Sequence, residues 1–312
     1  MINFEKDKVG DVEVYLGEPN EQVRESMRAM MRDQGLRRTR AFARSEDLIN
    51  AIKQSPPDLL IAADDLDPAL YSIIRDIRHF KLGRNPFILI SLMISGEKDD
   101  NVKRAILAGA DDVLIKPVSP GKLLERVSRI ATDRLPFIVT TEYVGPERRK
   151  QSVGRPSKIP QLKVVNTFQA KMDGERMTPT ELGRAVEGCM NEVMAARLDS
   201  HGLKLGYICK LILKAYEENR IDKELEEHLL ILINVLEDAG RTAHVLGEPE
   251  LTQICSQMAR QVEDMAEQYA TPASSALDTI RKLTKAFEMA KAANIPPPPE
   301  EKPESDQNPA PG

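Results

Sequence analysis

Four side chains with complementary chemistry lie at the ends of predicted strands in the N-terminal half. Glu18 follows the first strand in "VYLGEPN", and Asp64 follows the third. Ser91 ends the fourth strand, and Lys116 ends the fifth in "LIKP". A carboxylate that accepts a phosphoryl group needs a divalent cation to gather the phosphate oxygens, and a hydroxyl and an ammonium to hold them. These four residues supply such groups if the strand ends converge.

Strand-like and helical patterns alternate over the first 134 residues. The predicted strands are 12–16, 39–43, 58–63, 87–91 and 112–115, and the clearest helical patterns are 21–35, 45–54, 101–110 and 119–131. This alternation implies right-handed βαβ crossovers and a parallel sheet that is covered on both faces. The sequence therefore predicts an α/β domain with a doubly wound, five-stranded sheet. Its functional groove lies at the carboxyl ends of the strands.

Several segments, taken in order, resemble the response-regulator receiver domain of CheY-like proteins. They are "QVRESMRAMMRDQG", "PPDLL", "NPFILIS" and "AILAGADDVLIKPVSPGKLLERV", within residues 11–134. The resemblance implies a flavodoxin-like fold with Asp64 as the phosphoacceptor. It also implies that Glu18 and Asp64 bind Mg²⁺, and that Ser91 and Lys116 contact the phosphate.

The acidic positions depart from the family pattern. Relatives usually have two adjacent acids after the first strand, whereas "GEPN" has one acid followed by Pro19. In "PPDLLIAADDLDP", counting from the first prolines places the phosphoacceptor position at Ala63, whereas counting back from Pro68 places it at Asp64. One extra residue therefore lies where a slip would misdirect the strand-end side chain.

The hydroxyl and switch positions also differ from the family. Ser91 and Lys116 are 25 positions apart, which is more than the family spacing and leaves Ser95 as an alternative hydroxyl. Val113 stands where many relatives carry a switching aromatic residue. Two interpretations follow: a working receiver phosphorylated on Asp64, or a pseudo-receiver adaptor that acts only by binding other proteins.

Composition divides the chain into four segments. Residues 1–134 form the receiver-like domain, and residues 135–175 form a basic linker with six Lys or Arg against one Glu between 145 and 163. Residues 176–295 form a helical bundle domain, with helices predicted at 180–198, 202–218, 222–239, 249–269 and 272–293. The Pro-rich tail, 296–312, is predicted to be disordered.

The helical segment faintly resembles a histidine phosphotransfer bundle. "LGEPELTQICSQM" is similar to a turn of that family, but the corresponding histidine position is occupied by Glu237. His201, His228 and His244 all lie elsewhere. The bundle is therefore predicted to act by binding other proteins or a second copy of this chain. A phosphotransfer shuttle that uses one of these histidines is a third hypothesis, beside the working receiver and the adaptor.

Charge and composition exclude other classes. The net charge of −5 gives no general attraction to nucleic acid, and no basic reading helix is evident. Three distant cysteines and the absence of a long apolar run predict a cytoplasmic protein without a membrane anchor. We expect a bacterial signalling protein that is not an enzyme and whose partners include a histidine kinase or a phosphotransfer protein.

Overall fold

The computed structural model describes residues 8–96, 99–148, 159–175, 177–270, 277–282 and 285. Two compact units meet in sequence between Ser200 and His201. The first contains a five-stranded parallel sheet in the order β2-β1-β3-β4-β5. Its strands are β1 (Glu13–Gly17), β2 (Arg38–Phe42), β3 (Leu59–Ala63), β4 (Leu89–Ser95) and β5 (Asp112–Lys116). The predicted doubly wound fold is confirmed, because this strand order is the flavodoxin-like one.

Five helices alternate with these strands. They are α1 (Glu21–Asp33), α2 (Ser45–Gln54), α3 (Leu70–Arg78), α4 (Asp99–Leu107) and α5 (Pro120–Thr132). Successive residues of β3 enter two separate hydrophobic cores, with Ile61 in one and Leu60 in the other. Both side chains are fully buried, because helices cover both faces of the sheet.

Strand β4 extends beyond its predicted end. The prediction that the fourth strand ends at Ser91 is wrong, because the strand continues to Ser95. Leu92, Met93 and Ile94 are all fully buried. A strand covered on both faces is apolar throughout, so the sequence pattern gives no end point within "LISLMIS".

Part of the segment predicted as a linker has regular structure within the first unit. Strands β6 (Phe137–Val139) and β7 (Val144–Pro146) form an antiparallel pair, and helix α6 (Thr167–Met172) follows. Phe168 is fully buried and belongs to a core beneath the parallel sheet. These residues therefore extend the α/β domain beyond position 134, whereas 149–158 lie outside the described residues.

Helix α7 (Pro179–Glu217) begins with a capping box formed by Thr178 and Glu181. Thr178 Oγ1 accepts a hydrogen bond from Glu181 N at 3.3 Å, and Glu181 Oε2 accepts one from Thr178 N at 2.8 Å. The predicted division into two helices near residue 200 is wrong, because α7 is continuous. Gly202 lowers helix propensity by about 1 kcal/mol relative to alanine. His201 and Leu205, which lie close to Gly202 in the same helix, are buried, and their packing stabilises the helix at this point.

The second unit is helical, as expected. Helices α8 (Lys223–Val245) and α9 (Pro249–Glu267) are joined by a short turn and pack against each other as an antiparallel pair. The predicted end of the third helix at 239 is wrong. A Cβ atom at Gly240 would lie 3.2 Å from Cys255 Cβ, so this glycine permits close helix packing rather than ending the helix.

The structure describes only part of the last predicted helix, 272–293. Residues 277–282 are helical and Ile280 is buried. Most of 272–293 and the whole tail, 296–312, lie outside the described residues. Within the part of the chain that is described, no helix is both long and apolar enough to cross a membrane.

Replacing the cap of α8 is expected to loosen its first turn. Asp222 Oδ1 accepts a hydrogen bond from Leu225 N at 3.1 Å. Asp222→Ala should cost about 1 kcal/mol of helix stability, because a first-turn amide loses its acceptor. Amide hydrogen exchange on the full chain should show faster exchange in this turn. Glu227→Ala, at an exposed position on the same helix, is the control, and equal exchange in both variants would contradict the prediction.

Candidate strand-end site

The carboxyl ends of β3 and β4 bring Asp64 and Ser95 into direct contact. Asp64 begins a short 3-10 turn, Asp64–Leu66, directly after β3. Its two carboxylate oxygens each accept a hydrogen bond from Ser95 N at 3.0 Å, and Ser95 Oγ donates to Asp64 Oδ1 at 3.0 Å. The strand thus ends at Ala63, and the turn directs Asp64 toward the end of β4.

Lys116 lies at the end of β5 and forms ion pairs with two acids, Glu18 and Asp65. Its Nζ atom is 3.1 Å from Glu18 Oε2 and 2.8 Å from Asp65 Oδ1. Glu18 is 1% exposed, and its Oε1 also accepts a hydrogen bond from Asn20 N at 3.0 Å. Lys116, Glu18 and Asp65 therefore form an ion cluster beside the Asp64–Ser95 pair. A cis peptide bond links Lys116 to Pro117.

The protonation of Lys116 is controlled by this cluster. Burial by itself lowers the pKa of Lys116, but hydrogen bonds and charge interactions with Asp65 and Glu18 outweigh it and leave the pKa above its usual value. The ammonium therefore stays charged at neutral pH and neutralises part of the local negative charge.

Ser91 lies inside the sheet rather than at the strand end. It pairs in register with Ile61 of β3, three residues before Asp64, and with Asp112 of β5. Its side chain is fully buried, and its hydroxyl has no hydrogen-bond partner among the described residues. The hydroxyl that reaches Asp64 belongs to Ser95, the alternative that the long spacing to Lys116 left open.

Only one acid follows β1, and the carboxylates nearest to it already have partners within the protein. A Cβ atom at Gly17, directly before Glu18, would lie 2.7 Å from Leu66 Cδ2, so an apolar side chain fills the space beside the single acid. The carboxylates of Glu18 and Asp64 are both engaged in internal contacts. Within the described ranges, no group of three or more His, Cys, Asp or Glu side chains could hold a metal.

Two residues near Asp64 were not identified from the sequence. Asp65 forms an ion pair with Lys116, whereas the four-residue spacing to Pro68 had indicated its neighbour Asp64 as the candidate residue. Tyr71 of α3 has a buried hydroxyl, and Arg104 of α4 lies 4.5 Å from its ring centroid. Burial first, and then the charge of Asp64, raise the pKa of Tyr71. Neither residue belongs to a pattern that spacing alone could detect.

The histidines of the helical segment occupy different environments. His201 is 1% exposed, His228 is half-buried and His244 is exposed near the end of α8. Glu237, at the position that corresponds to a phosphotransfer histidine, is exposed on α8. The phosphohistidine hypothesis stays a prediction.

The strand order, the flanking helices and the strand-end acids together define a receiver-type domain. The family model of the response regulator receiver domain matches residues 14–128. These residues therefore form a response regulator receiver domain, a module of two-component signalling. The predicted resemblance is confirmed.

Several solved receiver structures are similar to this chain. Chemotaxis protein CheY4 of Vibrio cholerae is 16% identical, with 38% of this chain and 98% of that one covered and a TM-score of 0.35. The receiver domain of sensor histidine kinase PA1611 from Pseudomonas aeruginosa, which has a magnesium ion in its active-site cleft, is 24% identical (38% and 95%, TM-score 0.33). Response regulator DrrB of Thermotoga maritima is 19% identical (60% and 89%, TM-score 0.35). No curated protein matches the chain.

Removing Lys116 is expected to have a pH-dependent effect on stability. At neutral pH, Lys116→Met should cost about 1–2 kcal/mol, since buried Glu18 loses its cation but the cluster is partly exposed. The raised folded-state pKa means that the ion pair stabilises fully below the unfolded-state pKa of about 10.4 and is lost as the pH rises through the folded-state pKa. Urea unfolding should show the difference between wild type and variant narrowing at high pH.

Lys122→Met provides the control for this measurement. Lys122 is exposed on α5, in the same domain. We expect a difference from wild type of less than about 0.5 kcal/mol, typical of a surface substitution, at every pH. A difference for Lys116→Met that stays constant above pH ~10.5 would contradict the ion-pair account.

Proposed function

We propose that this protein is a two-component signalling adaptor whose receiver domain binds partners without phosphorylation of Asp64. The observation that carries this proposal is the set of hydrogen bonds from the backbone and hydroxyl of Ser95 to the Asp64 carboxylate. A carboxylate is a better nucleophile when its oxygens are free than when they accept hydrogen bonds. Both oxygens of Asp64 are instead held by the end of β4.

The local charge balance supports the same conclusion. Lys116 already pairs with two acids, Glu18 and Asp65, and the carboxylate of Asp64 lies beside this cluster with Ser95 as its hydrogen-bond donor. Phosphorylation would add about −1.5 to −2 charges to this group. Receiver domains as a family bind Mg²⁺ in their active sites, but Leu66 occupies the space beside Gly17 where a further acidic side chain would extend. Without a divalent cation, the added charge has too little compensation.

The contact between Asp64 and Ser95 also supports a receiver held in one state. In a phosphorylation switch, the new phosphate attracts the hydroxyl at the end of β4 and shifts the surface formed by α4, β5 and α5. Here that hydroxyl already contacts the carboxylate without a phosphate. The surface is therefore available to a partner, such as a histidine kinase or a phosphotransfer protein, in a single conformation. The helical unit supplies a second protein-binding module or a dimer contact.

Phosphorylation and metal binding can be tested on the full chain. The protein is incubated with Mg²⁺ and acetyl phosphate, and intact mass is compared between wild type and Asp64→Ala, with a phosphorylatable receiver from another protein as the positive control. We expect no adduct on wild type and no Mg²⁺-dependent shifts in NMR spectra. An adduct that is absent from Asp64→Ala would show that the protein is a phosphorylation switch instead.

An acid added next to Glu18 provides a complementary experiment. In the double variant Gly17→Asp with Leu66→Ala, a second carboxylate replaces the apolar side chain that fills the site. A pair of acids binds Mg²⁺ better than a single one. We expect this variant to gain Mg²⁺-dependent shifts, whereas Leu66→Ala alone should not. Equal responses in the two variants would mean that the missing acid is not what prevents metal binding.

A further inference from the structure

An arginine-rich groove lies at the edge of the parallel sheet and shares no residue with the strand-end site. Its volume is about 540 Å³, and its lining includes five arginines and one acid: Arg28, Arg32, Arg37, Arg38, Arg40 and Glu13. Arg28 and Arg32 come from α1, and the others lie on or directly before β2, apart from Glu13 of β1.

The groove follows the open edge of β2. All five residues of β2, Arg38–Phe42, line it. Successive residues of a strand point to opposite faces, so a groove that touches every one of them runs along the edge of the strand. Among the described strands, β2 is outermost and pairs only with β1. Such an edge presents backbone N–H and C=O groups that an extended chain can pair with.

Only part of the positive charge is neutralised within the protein. Arg38 lies 2.7 Å from Asp11 and 3.4 Å from Glu13, and Arg28 lies 3.3 Å from Glu25. All these pairs are at least partly exposed, and such pairs contribute little energy. The acids nearby can therefore exchange for those of a partner at low cost.

Three further guanidinium groups lack a carboxylate partner in the described part of the chain. Arg32 and Arg37 are exposed and form no ion pair there. Arg40 is also exposed, and its Nη1 donates to the Tyr15 hydroxyl at 3.0 Å. Its guanidinium lies 5.0 Å from the Tyr15 ring centroid and 5.3 Å from that of Phe42. Stacking on these rings holds Arg40 in place beside the groove.

This concentration of cations is not a consequence of overall composition. The chain has 44 Lys and Arg against 49 Asp and Glu, and a net charge of −5. Like charges held together at one edge repel one another, so the arrangement favours an anionic ligand. Arginine, rather than lysine, suits planar anions because its fork of N–H groups binds a carboxylate in a bidentate manner.

We propose that an extended, acidic segment of a partner protein binds along β2. Its backbone pairs with the strand edge, and its carboxylates contact Arg32, Arg37 and Arg40. A nucleic acid fits less well, because single strands are held by stacking on exposed aromatic rings. The aromatic residues at this groove, Tyr15 and Phe42, are 1% and 8% exposed. The site does not depend on whether Asp64 is phosphorylated.

The test uses the full chain and a labelled synthetic peptide that alternates glutamate and threonine. Fluorescence anisotropy at low salt compares this peptide with one that has glutamine in place of glutamate. A third peptide keeps the glutamates but carries N-methyl groups on alternate backbone amides, which prevents strand pairing. A thymidine oligonucleotide serves as the nucleic-acid probe.

Two double variants reverse the same number of charges on the same domain. Arg32→Glu with Arg37→Glu changes the groove, and Lys81→Glu with Arg84→Glu changes exposed positions away from it. We expect the groove variant to weaken peptide binding at least about tenfold, because two charge-assisted contacts become repulsive, and the control by less than about twofold. The glutamine and N-methylated peptides should bind more weakly than the glutamate peptide.

Four outcomes would overturn the proposal. The first is no binding of the glutamate peptide to wild type, and the second is an equal loss in both double variants. The third is binding of the N-methylated peptide as tight as that of the parent, which would leave charge attraction without strand pairing. The fourth is tighter binding of the oligonucleotide than of the peptide, which would assign the groove to nucleic acid.

Discussion

Asp111→Asn is expected to lower the free energy of unfolding of the first unit by about 3–5 kcal/mol, the cost of removing one member of a buried ion pair. Asp111 lies directly before β5 and forms ion pairs with two arginines. Arg78 Nη2 lies 2.6 Å from its Oδ2, and Arg134 Nε lies 2.8 Å from its Oδ1. The side chain of Arg78 is fully buried, and those of Asp111 and Arg134 are nearly so. Asparagine at position 111 would therefore leave two buried guanidinium groups with no neutralising charge.

The contacts around Arg78 explain why this cost is large. Arg78 also donates to the carbonyl oxygens of Gly109, Pro86 and Ile88. Burial lowers the pKa of Arg78 to about 10, and the charge of Asp111 opposes that shift. The guanidinium therefore remains charged at neutral pH and needs the Asp111 carboxylate.

Hydrogen exchange on the full chain provides the measurement, because the slowest amides of the sheet report on unfolding of the first unit. Asp100→Asn is the matched control. Its side chain is 90% exposed and lies 4.0 Å from Lys103, so the change should be less than about 0.5 kcal/mol. If Asp111→Asn costs no more than Asp100→Asn, the buried network is not a stabilising feature.

The second large effect is expected for Gly109→Ala, with a loss of about 2–4 kcal/mol from backbone strain and overpacking together. Gly109 has a φ of +94°, a region that disfavours a side chain. A Cβ atom there would lie 2.8 Å from Val144 O and 2.8 Å from Arg78 Cγ. The substitution therefore pushes β7 away from the parallel sheet and disturbs Arg78.

Gly121→Ala tests whether this effect is local. Gly121 lies in the first turn of α5, and a Cβ atom there has no neighbour within 4 Å. Alanine should be neutral or stabilising by up to about 1 kcal/mol, because it favours the helix. Thermal unfolding followed by circular dichroism compares the two variants. A Gly109→Ala protein as stable as Gly121→Ala would contradict the close packing of β7.

The docking of β6 and β7 gives a structural role to "YVGPER", residues 143–148. Arg148 Nη2 donates to the carbonyl oxygens of Ala110 and Asp111 at 2.9 and 2.6 Å. Tyr143 Oη donates to Pro146 O at 2.9 Å. The motif therefore anchors the hairpin to the start of β5. The basic residues of this segment had favoured a linker, but Arg148 is instead bound to backbone carbonyl groups of the α/β domain.

The placement of candidate residues at the strand ends was predictable, but their contacts were not. Asp64 and Lys116 were identified from the order of strands and from the "LIKP" motif, since each follows a clear apolar run. Their partners were not, because the contacts depend on where β4 ends and on how the turn after β3 folds. Ser95 rather than Ser91 meets Asp64, and Asp65 rather than Asp64 meets Lys116.

Local sequence patterns were sufficient to predict the α/β order, the receiver family that matches residues 14–128 and the helical character of the second unit. These features depend on local periodicity, which each segment carries independently. Three features became visible only in the folded structure: the Asp64–Ser95 contact, the buried Arg78–Asp111–Arg134 network and the arginine groove along β2. Each joins residues from different elements, so its chemistry depends on three-dimensional distances that no spacing along the chain records.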